Sequence, residues 1–174
     1  MPPMLALLAA VLVLLFPALV LAAAFSDAIS FTIPNWISLA LLALFPVAGL
    51  AVGLPLSTLG LHLAIGVAAL LAGMVMFALR WMGGGDAKLI AAAALWLGWP
   101  ALTTFVLGTA VAGGGLAILL LSLRSANLRP IVALGPRWVN RLADGEQGIP
   151  YGLAIAIGAL TAFASSPFAA AVGL

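Results

Sequence analysis

Of the four acidic residues in the chain, two stand against long apolar segments. Asp27 lies in Phe25-Ser26-Asp27-Ala28-Ile29-Ser30-Phe31-Thr32-Ile33-Pro34-Asn35, and Asp86 closes Gly83-Gly84-Gly85-Asp86. A carboxylate at membrane depth costs about 2.5–3.5 kcal/mol on insertion scales, so one retained there is a functional candidate by default. Two carboxyls in one low-dielectric site cannot both ionise readily, and the pair can hold one proton between them. The ionised member can then activate water while the protonated member gives its proton to a leaving amine. The plainer readings are an interfacial polar residue at Asp27 and a helix N-cap at Asp86. Three consecutive glycines permit φ > 0 and let another backbone come close, so an extended peptide can lie beside Asp86. Without that role they are a flexible turn.

The elements that must position these residues are apolar helices. The 174 residues include six basic and four acidic side chains, 66% are hydrophobic, and the mean hydropathy is +1.35. A soluble domain carries about 25% charged residues, and its surface cannot be made from this composition. No charge occurs between Met1 and Ser26, between Ala28 and Leu79, or between Leu89 and Leu123. Uncharged apolar runs of about 18 residues or more mark membrane-spanning helices. The expected fold is therefore an all-α integral membrane protein, a polytopic bundle of about six transmembrane helices. A cleaved signal peptide is the rival reading of the first segment, given Ala22-Ala23-Ala24. The lack of any preceding Lys or Arg and the length of the run favour a retained span.

The spans expected are 3–25, 36–54, 56–79, 87–99, 101–123 and 150–173, with a polar loop over 124–149. Leu89–Leu123 is too long for one span and divides at the Gly98-Trp99-Pro100 turn, with Trp96 and Trp99 at the interface. This layout puts Arg80, Lys88, Arg124, Arg129, Arg137 and Arg141 on one side together with Asp27 and Asp86. Basic residues accumulate on the cytoplasmic side, so that side is cytoplasmic and both termini face outward. The net charge of +2 is small despite a pI near 10.0, and no nucleic-acid partner is expected. The absence of Cys excludes disulfides and thiolate metal sites.

Together the motifs resemble the type IV prepilin peptidase family. Gly83-Gly84-Gly85-Asp86-Ala87-Lys88-Leu89 is similar to its GxGD motif in the GGGDxKL form. Asp27 followed by Ile33-Pro34-Asn35 resembles its first-aspartate segment, and Ile149-Pro150-Tyr151-Gly152 with Gly158 resembles its last conserved helix. The resemblance covers roughly residues 25–160. It implies an intramembrane-type aspartic endopeptidase with Asp27 and Asp86 as catalytic pair. Its substrates would be type IV or Flp prepilins or pseudopilins, cut at the cytoplasmic face of the bacterial inner membrane. Lacking the Cys-containing N-terminal domain of longer members, the chain resembles the short, peptidase-only form of tight-adherence pilus systems, and methylation is not expected. Relatives commonly carry basic residues between the first Asp and Ile-Pro-Asn, whereas here the interval is Ala28-Ile29-Ser30-Phe31-Thr32.

The remaining residues mostly read as structural. Gly83, Gly84, Gly85 and Lys88 are the candidate substrate-binding residues, Lys88 being equally a snorkelling topology anchor. Arg80 reads as an anchor and His62 as a packing or interfacial residue of the third span. Leu128–Ala143 reads as a partly helical segment on the cytoplasmic surface, and Asp144 and Glu146 as solvated loop charges. No metal or organic cofactor is expected, and the oligomeric state is left open. Two rival functions use the same features. One is a small proton- or cation-coupled transporter with Asp27 and Asp86 as its binding groups. The other is a non-catalytic pilus-assembly subunit.

Overall fold

Prolines mark where the helices begin. Pro3 opens α1 (Pro3–Ser30), while Pro34 and Pro55 precede α2 (Asn35–Ala51) and α3 (Leu56–Ala78). Proline lacks an N–H and holds φ at about −65°, which suits the first turn, where the amide has no intrahelical partner. Gly83 precedes α4 (Gly84–Leu123), Pro150 precedes α5 (Tyr151–Phe163), and Pro167 opens the short α6 (Pro167–Ala171). The computed structural model describes residues 2–125, 128, 134–135, 140 and 148–174. Every regular element among them is helical. The arginines and acids expected in the loop 124–149 and in the segment Leu128–Ala143 fall almost wholly outside the described residues.

The chain forms an all-α polytopic membrane bundle. The helices α1, α3 and α4 are long and apolar enough to cross a membrane, and α2 and α5 are apolar but shorter. Their outer faces carry exposed Leu7, Leu39, Leu61, Val75 and Leu121. Leucines that would be a liability in water are at home against lipid tails, which are equally apolar. Inside, Phe16, Phe45, Trp96 and Phe168 form an aromatic core.

Helix α4 is two limbs. Gly98 has φ 68° and ψ −175°, and Pro100 follows, so the helix breaks within the Gly98-Trp99-Pro100 turn. At the break, buried His62 of α3 bonds from Nδ1 to the Leu95 carbonyl at 2.8 Å. A carbonyl only accepts, so Nδ1 is the donor. His62 thus packs the α3–α4 contact and caps a carbonyl at the helix break.

Three expectations about the elements are corrected. Trp96 is not interfacial: it is 1% exposed, lies 4.8 Å from Phe168 and 5.3 Å from Phe16 between ring centroids, and donates Nε1–H to the Leu41 carbonyl at 2.9 Å. An indole whose N–H finds a buried partner has no need of the wet interface. Only Trp99 is exposed there. The final apolar run is not one helix, because Ser166 becomes an N-cap whose Oγ accepts from the Ala169 N–H at 3.2 Å, and Pro167 restarts the chain as α6. The first helix also runs past Phe25 to Ser30, which places Asp27 inside its final turn.

Candidate active site

The end of α1 holds the first carboxylate in place. Phe31 terminates the helix in the left-handed region (φ 54°), and its N–H bonds to the carbonyl of Asp27 at 2.8 Å. Hydroxyls secure the following turn: Ser26 Oγ donates to the Thr32 carbonyl at 2.9 Å, and Ser30 Oγ donates to the Ser26 carbonyl at 2.7 Å. Ser30 and Thr32 hydroxyls also meet at 2.8 Å. Ser30 and Thr32 are the polar members of the interval between Asp27 and Ile33.

Asp27 is 6% exposed, and its Oδ2 accepts the backbone N–H of Gly152 at 2.7 Å. Gly152 is the second residue of α5, where amides have no partner within the helix and the dipole is positive. A carboxylate answers both. A Cβ at position 152 would lie 2.8 Å from the Asp27 Cβ and 2.9 Å from its Oδ2, so only glycine allows the approach. The Pro-Tyr-Gly segment was visible in the sequence, but nothing in the residue types announces that a main-chain amide there grips Asp27.

Asp86 comes from the opposite side, at the start of α4. It is not the N-cap but the third helical residue, and its Oδ2 accepts the N–H of Gly83 at 3.3 Å. The glycines before it do not use positive φ; among the described residues only Gly53, Gly98 and Gly173 do. Their contribution is close approach. A Cβ on Gly85 would sit 3.2 Å from the Ile33 Cβ, and one on Gly84 would sit 3.4 Å from the Phe77 ring.

Both carboxylates line one cavity of about 240 Å³. Its lining comes from two segments, one running from Asp27 to Asn35 and the other from Gly83 to Asp86. With liquid water occupying about 30 Å³ per molecule, the cavity has room for a water and a stretch of peptide backbone. Lys88 does not itself line this cavity, but its Nζ donates to Oδ1 of Asn35, which does, at 2.9 Å, tying α4 to the start of α2. Among the described residues no cluster of three or more metal-ligating side chains occurs.

A helical membrane bundle with two carboxylates on one glycine-lined cavity defines the class as a membrane-embedded protein with a paired-carboxylate site. A family model for the type IV leader peptidase family matches residues 14–118, a span that contains both Asp27 and Asp86. The chain belongs to the type IV leader peptidase family. It is therefore a peptidase, with prepilins as its substrates in general terms. No curated protein and no solved structure matches the chain.

Proposed function

We propose that the chain is an aspartic endopeptidase that removes the leader from type IV or Flp prepilins, or from pseudopilins, at the cytoplasmic face of the bacterial inner membrane. The observation that carries this reading is the shared cavity of Asp27 and Asp86. The single-proton state of such a pair supplies a base and an acid at once. The ionised carboxylate takes a proton from water as its oxygen attacks the scissile carbonyl carbon. The protonated carboxyl stabilises the carbonyl oxygen and then delivers its proton to the departing amine as the C–N bond breaks. Gly83 to Gly85 line the cavity, so the wall that an extended substrate backbone meets there carries no side chains of its own. Family membership sets hydrolysis ahead of the proton- or cation-coupled transport that the same two carboxylates would otherwise suit.

The distribution of Arg and Lys supports the orientation, because Arg80 and Lys88 flank the same bundle end as the carboxylates. The test is coexpression with a candidate pilin from the same genome, followed by N-terminal sequencing of the mature product. A single new N-terminus at the leader boundary is the expected result. Several plausible pilins left uncut by the wild-type chain would refute the reading.

A further inference from the structure

A second and larger hollow lies beside the carboxylate cavity. It measures about 780 Å³ and runs between α2 and α3, with the first limb of α4 as its floor. Helices α2 and α3 are joined by the short turn at 52–55, yet they lean on α4 more than on each other. Leu39 and Leu42 form one flank, Leu70 and Met74 the other, and all four are exposed. The trough opens sideways to the surface that lipid would cover.

Two observations separate it from an ordinary lipid-facing crease. The first is continuity: Asn35 and Gly84 line both the trough and the carboxylate cavity, and the Lys88–Asn35 hydrogen bond marks the junction. The second is the floor, where Gly84, Ala87 and Ala91 recur at helical spacing. Ala87 packs against Gly73 of α3, and the small side chains of Ala91 and Ala92 beside it keep the floor low enough for a helix to lie along the trough, a depth that an acyl chain has no need of. From Gly84 to Leu95 the floor is about 16 Å long, or three helical turns.

We propose that this trough seats the apolar helix of the substrate, so that the chain entering the carboxylate cavity is the segment just before that helix. The proposal rests on the peptidase reading and adds the subsite that aligns the bond to be cut. The occupant lies as a helix over Ala91, between the Leu39–Leu42 and Leu70–Met74 flanks, and unwinds at the Lys88–Asn35 junction. Polar side chains at the junction can meet the amide groups that a helix end leaves without partners. Beyond it the substrate is extended along Gly83 to Gly85. A free lipid chain has no such continuation, and it is the competing occupant that the experiment must distinguish.

Two substrates make the test in the full-length chain reconstituted in bilayers. One carries the leader with its apolar helix, and the other is a short soluble peptide covering only the scissile bond. Ala91→Trp fills the trough without touching either carboxylate. The expected result is a loss of at least about tenfold in kcat/KM for the helix-bearing substrate, with the short peptide changed by no more than about twofold. Equal retention of both activities overturns the proposal and leaves the trough to lipid. If the variant loses both activities, crosslinking decides. The chain has no Cys, so a single cysteine at Leu70 or, as control, at exposed Val111 can be paired with one in the substrate helix. Crosslinking at Leu70 and not at Val111 supports the proposal, and equal or absent crosslinking overturns it. Wild type that cuts neither substrate counts against the peptidase reading instead, while the crosslinking comparison still reads the trough.

Discussion

The backbone N–H of Gly152 reaches the carboxylate of Asp27 at 2.7 Å across 125 positions of sequence. One of the two acidic groups is therefore positioned by the start of α5 and not only by its own helix. Replacing Gly152 with Ala forces a methyl group against the Asp27 side chain and pushes the two apart. Displacement of a reacting group by about 1 Å can cost about 100-fold in rate, and a loss of that order is expected for Gly152→Ala. Steady-state cleavage assays on the purified variant, with thermal unfolding to show that the bundle survives, check it.

The Lys88–Asn35 link predicts a smaller and non-additive effect. At this exposed position a hydrogen bond to a charged donor is worth about 1 kcal/mol, so Lys88→Ala should lower cleavage by no more than about tenfold. Asn35→Ala should match it, and the double variant should be no worse than either single change. Additive losses in that double-mutant cycle would show that Lys88 acts on substrate by itself.

Glycines in the second limb of α4 and in α5 are expected to separate sharply. A Cβ on Gly158 would lie 2.6 Å from the Thr109 nitrogen and 2.7 Å from the Phe105 oxygen, both main-chain atoms that cannot yield. Gly158→Ala should therefore destabilise the protein by about 1–3 kcal/mol. Gly114 and Gly115 have open space around them, and replacing either with Ala should be neutral or stabilising by up to about 1 kcal/mol. Unfolding of the three variants in one detergent gives the comparison.

The break in α4 predicts a fourth outcome. Gly98 holds φ 68° and faces the His62 ring, so Gly98→Ala combines backbone strain with a clash. A cost of at least about 1–2 kcal/mol is expected from the backbone alone. His62→Ala would relieve the clash but leave the Leu95 carbonyl without its donor, so it should not rescue the variant fully. Thermal unfolding of both single variants and the double variant tests this.

How much of this was legible beforehand depended on the kind of signal. Ten charges in a long apolar chain make each one conspicuous, Asp27 and Asp86 among them, and the structure places both on one cavity. Gly98-Trp99-Pro100 was legible as a break because glycine and proline act locally. Trp96 was not, since helices apolar all round show no stripe that separates core from lipid. The restart at Ser166-Pro167 is a local capping pattern set inside an apolar run long enough to read as one span. Gly152 and Asn35 were illegible as partners, because one acts through a backbone amide and both act across long sequence separations.

The central claim is that Asp27 and Asp86 work as one catalytic pair. Its most direct measurement is the single-turnover cleavage rate of a leader-bearing pilin by wild type, Asp27→Asn and Asp86→Asn, each reconstituted at equal concentration. Loss of either member of a catalytic unit removes nearly all of its contribution, so each variant should fall by at least about 1000-fold, and the double variant should fall no further. Cleavage by either Asn variant at a rate near wild type would contradict the account.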